Sequence, residues 1–134
     1  MPDTSLFVTA LLVLFASLAC ASPCDSIQRT LGGVRTGSIA PALRRQLRAR
    51  SVEVLQTYSS GSWSILYVDT HEAERLYLFF SANPLRSRYV TEWSGTASPS
   101  DEQGILDWTL KNAPGIPAPL ARCFAWHVTQ DREL

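Results

Sequence analysis

The sequence is poor in the residues and motifs that would identify an activity. Its 134 residues include three cysteines, two histidines and one lysine. Neither Asn83 nor Asn112 begins an Asn-x-Ser/Thr acceptor sequence, which excludes N-glycosylation. The chain has no Gly-x-Ser-x-Gly elbow, phosphate-binding glycine loop or dinucleotide fingerprint. These absences count against the common hydrolase, nucleotide-hydrolysing and dehydrogenase classes.

The chain also has no net charge. It contains 12 basic and 12 acidic residues, and removal of residues 1–21 would take away Asp3 and leave a net charge of 12 − 11, or +1. A domain so close to neutral is not attracted as a whole to polyanions. No nucleic-acid partner is therefore expected.

The strongest feature that is present is an apolar run from Leu6 to Ala21. Its 16 residues fall short of the roughly 20 that span a bilayer, and it ends in Ala19-Cys20-Ala21, an A-x-A-like cleavage signature. We predict a signal peptide over 1–21, a single domain over 22–134, and a secreted or periplasmic protein. An uncleaved anchor and lipid attachment at Cys20 are the alternatives, and a membrane partner is expected only in those cases.

Cleavage after Ala21 would leave two cysteines, Cys24 and Cys123. Thiols pair in oxidising compartments, and two cysteines have one intramolecular connectivity. We predict a Cys24 to Cys123 disulfide, with free thiols or an intermolecular bridge as the alternatives. On the chain-entropy model, a loop of about 100 residues contributes at most roughly 4.7 kcal/mol.

Helical patterns flank a strand-rich middle. A short helix is predicted over 24–31, ended by Gly32-Gly33, and a clearer helix follows over about 40–50 with Pro41 in its first turn. Four segments rich in β-branched and aromatic residues are separated by connections too short for helical crossovers, which favours antiparallel strands. The predicted strands lie at 52–58, 63–68, 76–81 and 89–94.

Two helical segments are predicted near the end of the chain. Ser98-Pro99-Ser100-Asp101 resembles a capping box and begins a helix over about 99–112. Residues 120–129 fit a helix or a strand, and Pro117 and Pro119 favour a helix. The expected fold is α+β: a four-stranded antiparallel meander packed by an amino-terminal helix and one or two carboxy-terminal helices, closed by one disulfide.

Alternation of side chains gives the predicted sheet two unlike faces. One collects apolar residues against the helices: Leu66, Val68, Leu76, Leu78, Phe80 and Val90. The other face is aromatic, and Trp and Tyr offer large contact area with a polar atom each. Packing beneath the amino-terminal segment or a terminal helix is the alternative to ligand binding there. The candidate ligand-binding residues are Trp63, Tyr67, Tyr77, Tyr89 and Trp93.

The two histidines are weak candidates for catalysis. His71 lies with three carboxylates in the connection 69–74, but the spacing matches no zinc or calcium pattern, and a solvated turn is the simpler interpretation. His127 follows Cys123 by four residues, yet a sulfur in a disulfide cannot attack a substrate. No catalytic residue, metal ligand or cofactor is predicted.

Arginines are concentrated in the predicted helix 40–50. Arg44 and Arg48 share a helical face, Arg45 lies beside them, and Arg50 follows. This patch is a candidate site for an anionic partner, a polyanion or lipid headgroups. A solvated helix face balanced by acidic residues elsewhere is the alternative.

The sequence therefore predicts an exported, non-enzymatic binding protein. Its expected partner is another envelope or secreted protein, or a saccharide, captured or inhibited through the aromatic face. The alternatives are a small secreted hydrolase using the His71 turn and a structural component of the cell envelope.

Overall fold

The computed structural model describes residues 22–31 and 36–130. The predicted signal peptide with Cys20, and the glycine pair at 32–33, lie outside the described residues. The elements in chain order are β1 (Gln28–Leu31), α1 (Thr36–Leu47), β2 (Glu53–Ser60), β3 (Trp63–Asp69), β4 (Leu76–Phe80), β5 (Thr91–Ser94), a 3-10 turn (Pro99–Asp101), α2 (Glu102–Asn112) and α3 (Ala118–Gln130).

The predicted antiparallel meander is confirmed, with five strands in place of four. The strands lie in the order β1-β2-β3-β4-β5, so every strand pairs with its neighbours in sequence. The extra strand is β1, where a short helix was predicted. Residues 28–31 pair with residues 56–59 of β2, and these sheet hydrogen bonds outweigh a weak local preference for helix.

The other helix predictions are confirmed in type and shifted at their ends. Helix α1 begins at Thr36, four residues earlier than predicted, so that Pro41 lies inside the helix and not in its first turn. At the start of the 3-10 turn that leads into α2, the Asp101 carboxylate accepts a hydrogen bond from the Ser98 backbone N–H at 2.8 Å, as a capping box requires. Residues 118–130 form a helix, which resolves the choice between helix and strand.

Each face of the sheet carries its own core. Helix α1 covers the first core, which consists of Leu43, Val54, Leu66, Val68, Leu78 and Phe80. Helices α2 and α3 cover the second, which includes Tyr58, Trp63, Ile65, Tyr67, Tyr77, Phe79, Leu120, Phe124 and Val128. We call these the α1 face and the aromatic face. Full burial of such a side chain contributes about 1.5–3 kcal/mol, so both faces stabilise the fold.

The predicted disulfide between Cys24 and Cys123 is present. It joins the turn before β1 to α3 and spans a sequence separation of 99 residues. Both cysteines are buried within the aromatic face. The bond therefore fixes the first described segment of the chain against its last helix.

Candidate functional site

A groove lined by arginines lies on the α1 face, where α1 meets the loop between β4 and β5. It has a volume of about 300 Å³. We call it the arginine groove, and its lining residues are Ala42, Arg45 and Gln46 of α1 and Leu85, Arg86, Ser87 and Arg88 of the loop. It brings together two basic segments that are about 40 residues apart in sequence.

The Gln46 side chain joins the two walls of the groove. Its Nε2 donates a hydrogen bond to the Ser87 carbonyl oxygen at 2.9 Å, and its Oε1 accepts one from the Tyr89 backbone N–H at 3.2 Å. Both ends of the amide are therefore occupied by loop backbone. This arrangement holds the loop, and the arginines on it, at a defined distance from α1.

The loop is also braced internally by Asn83. The Asn83 side-chain Oδ1 accepts from the Leu85 N–H at 3.0 Å. Its carbonyl oxygen accepts from the Arg86 N–H at 3.0 Å and from the Ser87 hydroxyl at 2.7 Å. Asparagine commonly closes turns in this way. The loop conformation is therefore specified before any partner arrives.

The arginines of this region form no ion pair with any described residue. The two stretches of sequence that contain the groove residues, 26–52 and 75–91, have no Asp or Glu. Among the described residues, ion pairs occur only around Asp69 and His71, with Glu53 and Arg75 as the partners. Within these segments, residues 44–50 and 86–88 carry six of the chain's 12 basic residues: Arg44, Arg45, Arg48, Arg50, Arg86 and Arg88.

Arg48 is held in a backbone conformation that favours glycine. Its φ is +53°, and the Ala49 N–H beyond it donates to the Arg44 carbonyl oxygen at 3.1 Å. A Schellman helix end has two hydrogen bonds, and this is the one that spans more residues. The left-handed position in that motif is usually Gly. A side chain with a Cβ costs free energy there. The cap geometry therefore does not explain an arginine at this position.

The predicted anionic-partner residues lie together on the surface, and the sequence interpretation missed half of the site. Arg44, Arg45 and Arg48 are all exposed, and Arg45 lines the groove. The missed residues are Arg86, Arg88 and Gln46. Their signal was available as a second basic pair, Arg86-Ser87-Arg88, in a second acid-free segment. The sequence did not show that the loop and helix meet.

The predicted aromatic ligand residues do not form one surface. Trp63, Tyr67 and Tyr77 are 8%, 7% and 5% exposed, because α2 and α3 cover them. The prediction that Tyr89 shares their face is wrong. Regular pairing in β5 begins at Thr91, so Tyr89 precedes the strand and packs on the α1 face, where its ring lies 6.3 Å from that of Phe80.

Trp93 is half-buried and borders a second groove. Its ring packs edge-on against Phe124 at 5.7 Å. The groove has a volume of about 430 Å³ and is lined by Trp93, Ser94, Thr96, Ala97, Ser100, Asp101, Gly104 and Ile105. The Asp101 carboxylate is engaged by the Ser98 N–H and hydroxyl, which lower its pKa. The carboxylate thus serves as a hydrogen-bond acceptor in the cap at Ser98.

In the His71 turn, the charged side chains contact one another. Its ring Nε2 lies 3.2 Å from Glu53 Oε2 and its Nδ1 lies 3.6 Å from Asp69 Oδ1. The His71 backbone N–H and the Arg75 Nε both donate to the Asp69 carboxylate and lower its pKa, against the opposing effect of burial. Both imidazole nitrogens thus face carboxylates, an arrangement that stabilises a turn.

His127 contacts a tyrosine in the aromatic core. Its Nε2 lies 2.8 Å from the Tyr58 hydroxyl, which also bonds the side-chain oxygen of Gln56. An amide oxygen only accepts, so the hydroxyl donates to Gln56 and the imidazole Nε2 donates to the hydroxyl. This polar link between β2 and α3 was not predicted. Cys123, the suggested partner of His127, is held in the disulfide.

Comparison of the chain with protein-family models, with curated proteins and with solved structures found no match. The class of this protein is therefore defined by its own structure. It is a disulfide-closed α+β meander with a cationic groove on one face. Within 22–31 and 36–130, no group of three or more His, Cys, Asp or Glu side chains is placed to hold a metal ion. Nor does any helix in those ranges have the length and apolar character of a membrane span.

Proposed function

We propose that this chain is an exported, non-enzymatic binding protein that captures an anionic partner in the arginine groove. The observation that carries the proposal is the convergence of Arg45, Arg86 and Arg88 on one groove, where none of the three is ion-paired with a described residue. Guanidinium groups present several donors in a planar fork that matches carboxylate, phosphate and sulfate oxygens. Such a surface both attracts and orients an anion.

The compartment is proposed from two independent features. The buried disulfide supports an oxidising environment, because cytosolic thiols are kept reduced. The apolar run Leu6 to Ala21 with its small-residue ending supports export. Together they favour a secreted or periplasmic protein, in which a small domain gains stability from a single long-range bond.

The groove is favoured over the aromatic face as the binding surface. Trp63, Tyr67 and Tyr77 lie beneath α2 and α3, so a ligand would need to displace both helices to reach them. The arginine groove is open, and its walls are already joined by Gln46. Preorganised charge lowers the ordering cost of binding.

The test is retention on immobilised heparin, a soluble polyanion, measured as the salt concentration at elution. Replacing Arg86→Ala and Arg88→Ala together should lower affinity about tenfold, since exposed charge pairs contribute up to about 1 kcal/mol each. The matched control, Lys111→Ala with Arg122→Ala, removes the same charge from exposed positions on α2 and α3. Equal losses in the two double variants would contradict the proposal.

A further inference from the structure

Leu85 is an exposed apolar side chain in the arginine groove. It is 47% exposed at the loop between β4 and β5, and it lines the groove beside Arg45, Arg86 and Arg88. A single exposed leucine is ordinary on a protein surface. This one differs because it lines the same groove as three arginines, in a segment of the chain that contains no Asp or Glu.

The exposure of Leu85 is built into the loop. The Leu85 N–H is bonded to the Asn83 side chain, the next N–H to the Asn83 carbonyl, and the Ser87 carbonyl to Gln46. These contacts fix the backbone on both sides of the leucine. The side chain is thus presented by an ordered turn, and its outward position does not require a mobile loop.

An exposed apolar side chain in a groove lined by arginines matches the chemistry of an anionic bilayer surface. Arginines bind the phosphates of lipid headgroups, while a leucine between them gains free energy by entering the acyl region. A sulfated polysaccharide would use the arginines and leave the leucine in water. We infer that the arginine groove docks on an anionic membrane, with Leu85 inserted at its centre. This inference rests on the proposed anion-binding function and names the partner.

The test is cosedimentation of the full-length protein with vesicles. One population contains equimolar phosphatidylglycerol and phosphatidylcholine, and the other contains phosphatidylcholine alone. We expect binding to the anionic vesicles, weakened by salt, and little to the neutral ones. Binding through the apolar run Leu6 to Ala21 would instead be equal on both, and that result would overturn the inference.

Two leucine variants separate insertion from charge attraction. Leu85→Ser should weaken binding to anionic vesicles about tenfold and leave retention on heparin unchanged. Leu110→Ser is the matched control, because Leu110 is 46% exposed on α2, over the other face of the sheet. It should change neither measurement. Circular dichroism of each variant checks that the fold is retained.

The outcomes distinguish the inference from the proposed function. Retention on heparin without binding to anionic vesicles would overturn the membrane partner and leave the anion-binding function standing. Failure to bind either probe would overturn both. Vesicle binding that Leu85→Ser leaves unchanged, or that Leu110→Ser weakens equally, would also refute insertion at the groove.

Discussion

The two faces of the sheet differ in what covers them and in what remains exposed. On the aromatic face, α2 and α3 bury nearly all of the large side chains, and the disulfide ties α3 to the start of the domain. On the α1 face, one helix covers a smaller core and carries Arg44 and Arg45 on its exposed side, with the exposed Arg48 directly after its end. The first face is used for packing, whereas the second combines packing with a cationic surface.

The charged side chains also fall into two groups, those paired within the fold and those left unpaired on the surface. The Asp69 carboxylate is paired with Arg75 and with the His71 turn, so its charge is balanced by groups of the same fold. The groove arginines have no such partners among the described residues. Paired charges contribute to the folded state, and unpaired ones stay available to another molecule. Exposure alone would not have separated Arg75, which is exposed and paired, from the groove arginines.

The largest expected effect comes from breaking the aromatic face at its disulfide. Cys24→Ser with Cys123→Ser should lower the free energy of unfolding by up to about 4.7 kcal/mol, the chain-entropy limit for a loop of about 100 residues. Urea denaturation with and without reductant measures the change. Heparin binding by the fraction that remains folded should be unchanged, because the groove lies on the other face. A loss of binding in fully folded protein would show that the two faces are coupled.

A smaller effect of opposite sign is expected at Arg48. Arg48→Gly relieves the left-handed cap position and should raise the free energy of unfolding by about 0.5–1 kcal/mol. It should also weaken retention on heparin, because an exposed cation is lost from the end of the helix that carries Arg45. Arg48→Ala removes the same charge and keeps the strain, so it should weaken binding without stabilising. If Arg48→Gly destabilises the protein, the left-handed cap is not strained.

The smallest effect is expected at the paired charges, and it depends on pH. The pKa of Asp69 lies below its ordinary value of 3.8 in the folded protein, because the His71 N–H and Arg75 favour the carboxylate. The unfolded chain therefore binds a proton first as the pH falls. This contribution is complete above the unfolded pKa and is lost as the pH falls through the folded pKa.

Thermal melts of wild type and Asp69→Asn between neutral and acidic pH measure this contribution. The wild type should be the more stable protein at neutral pH, and the difference should shrink on acidification. Asp25→Asn, at an exposed position in the turn before β1, serves as the control. A gap between wild type and Asp69→Asn that stays constant with pH would contradict the assignment of the pairing energy to this carboxylate.

Local patterns predicted most of the elements, and tertiary contacts decided the rest. Alternation in β3 and β4 separated Leu66 and Leu78 from Tyr67 and Tyr77 correctly, because strand geometry fixes that period. It could not show which helix covers which face. Strand β1 was missed because its stability comes from pairing with β2, about 28 residues further on. Tyr89 was misplaced because alternation was extended past the beginning of regular pairing.

Only the part of the candidate site whose residues are close together in sequence was predicted. Arg44 and Arg45 lie within α1 and Arg48 is the first residue after it, so short sequence separation alone places the three close together. Arg86 and Arg88 reach the same surface through the Gln46 contacts, which join positions 41 and 43 residues apart. No sequence period links such positions. The composition of the two acid-free segments was the only available signal.

The position of the two cysteines also sets the order of events for a chain that is exported amino end first. Cys24 would enter the oxidising compartment 99 residues ahead of its partner. During that interval its thiol is open to oxidation by small molecules and to exchange with other proteins. The native bond can form only after the segment that becomes α3 has emerged. Maturation of this domain would therefore be timed by the arrival of its last helix.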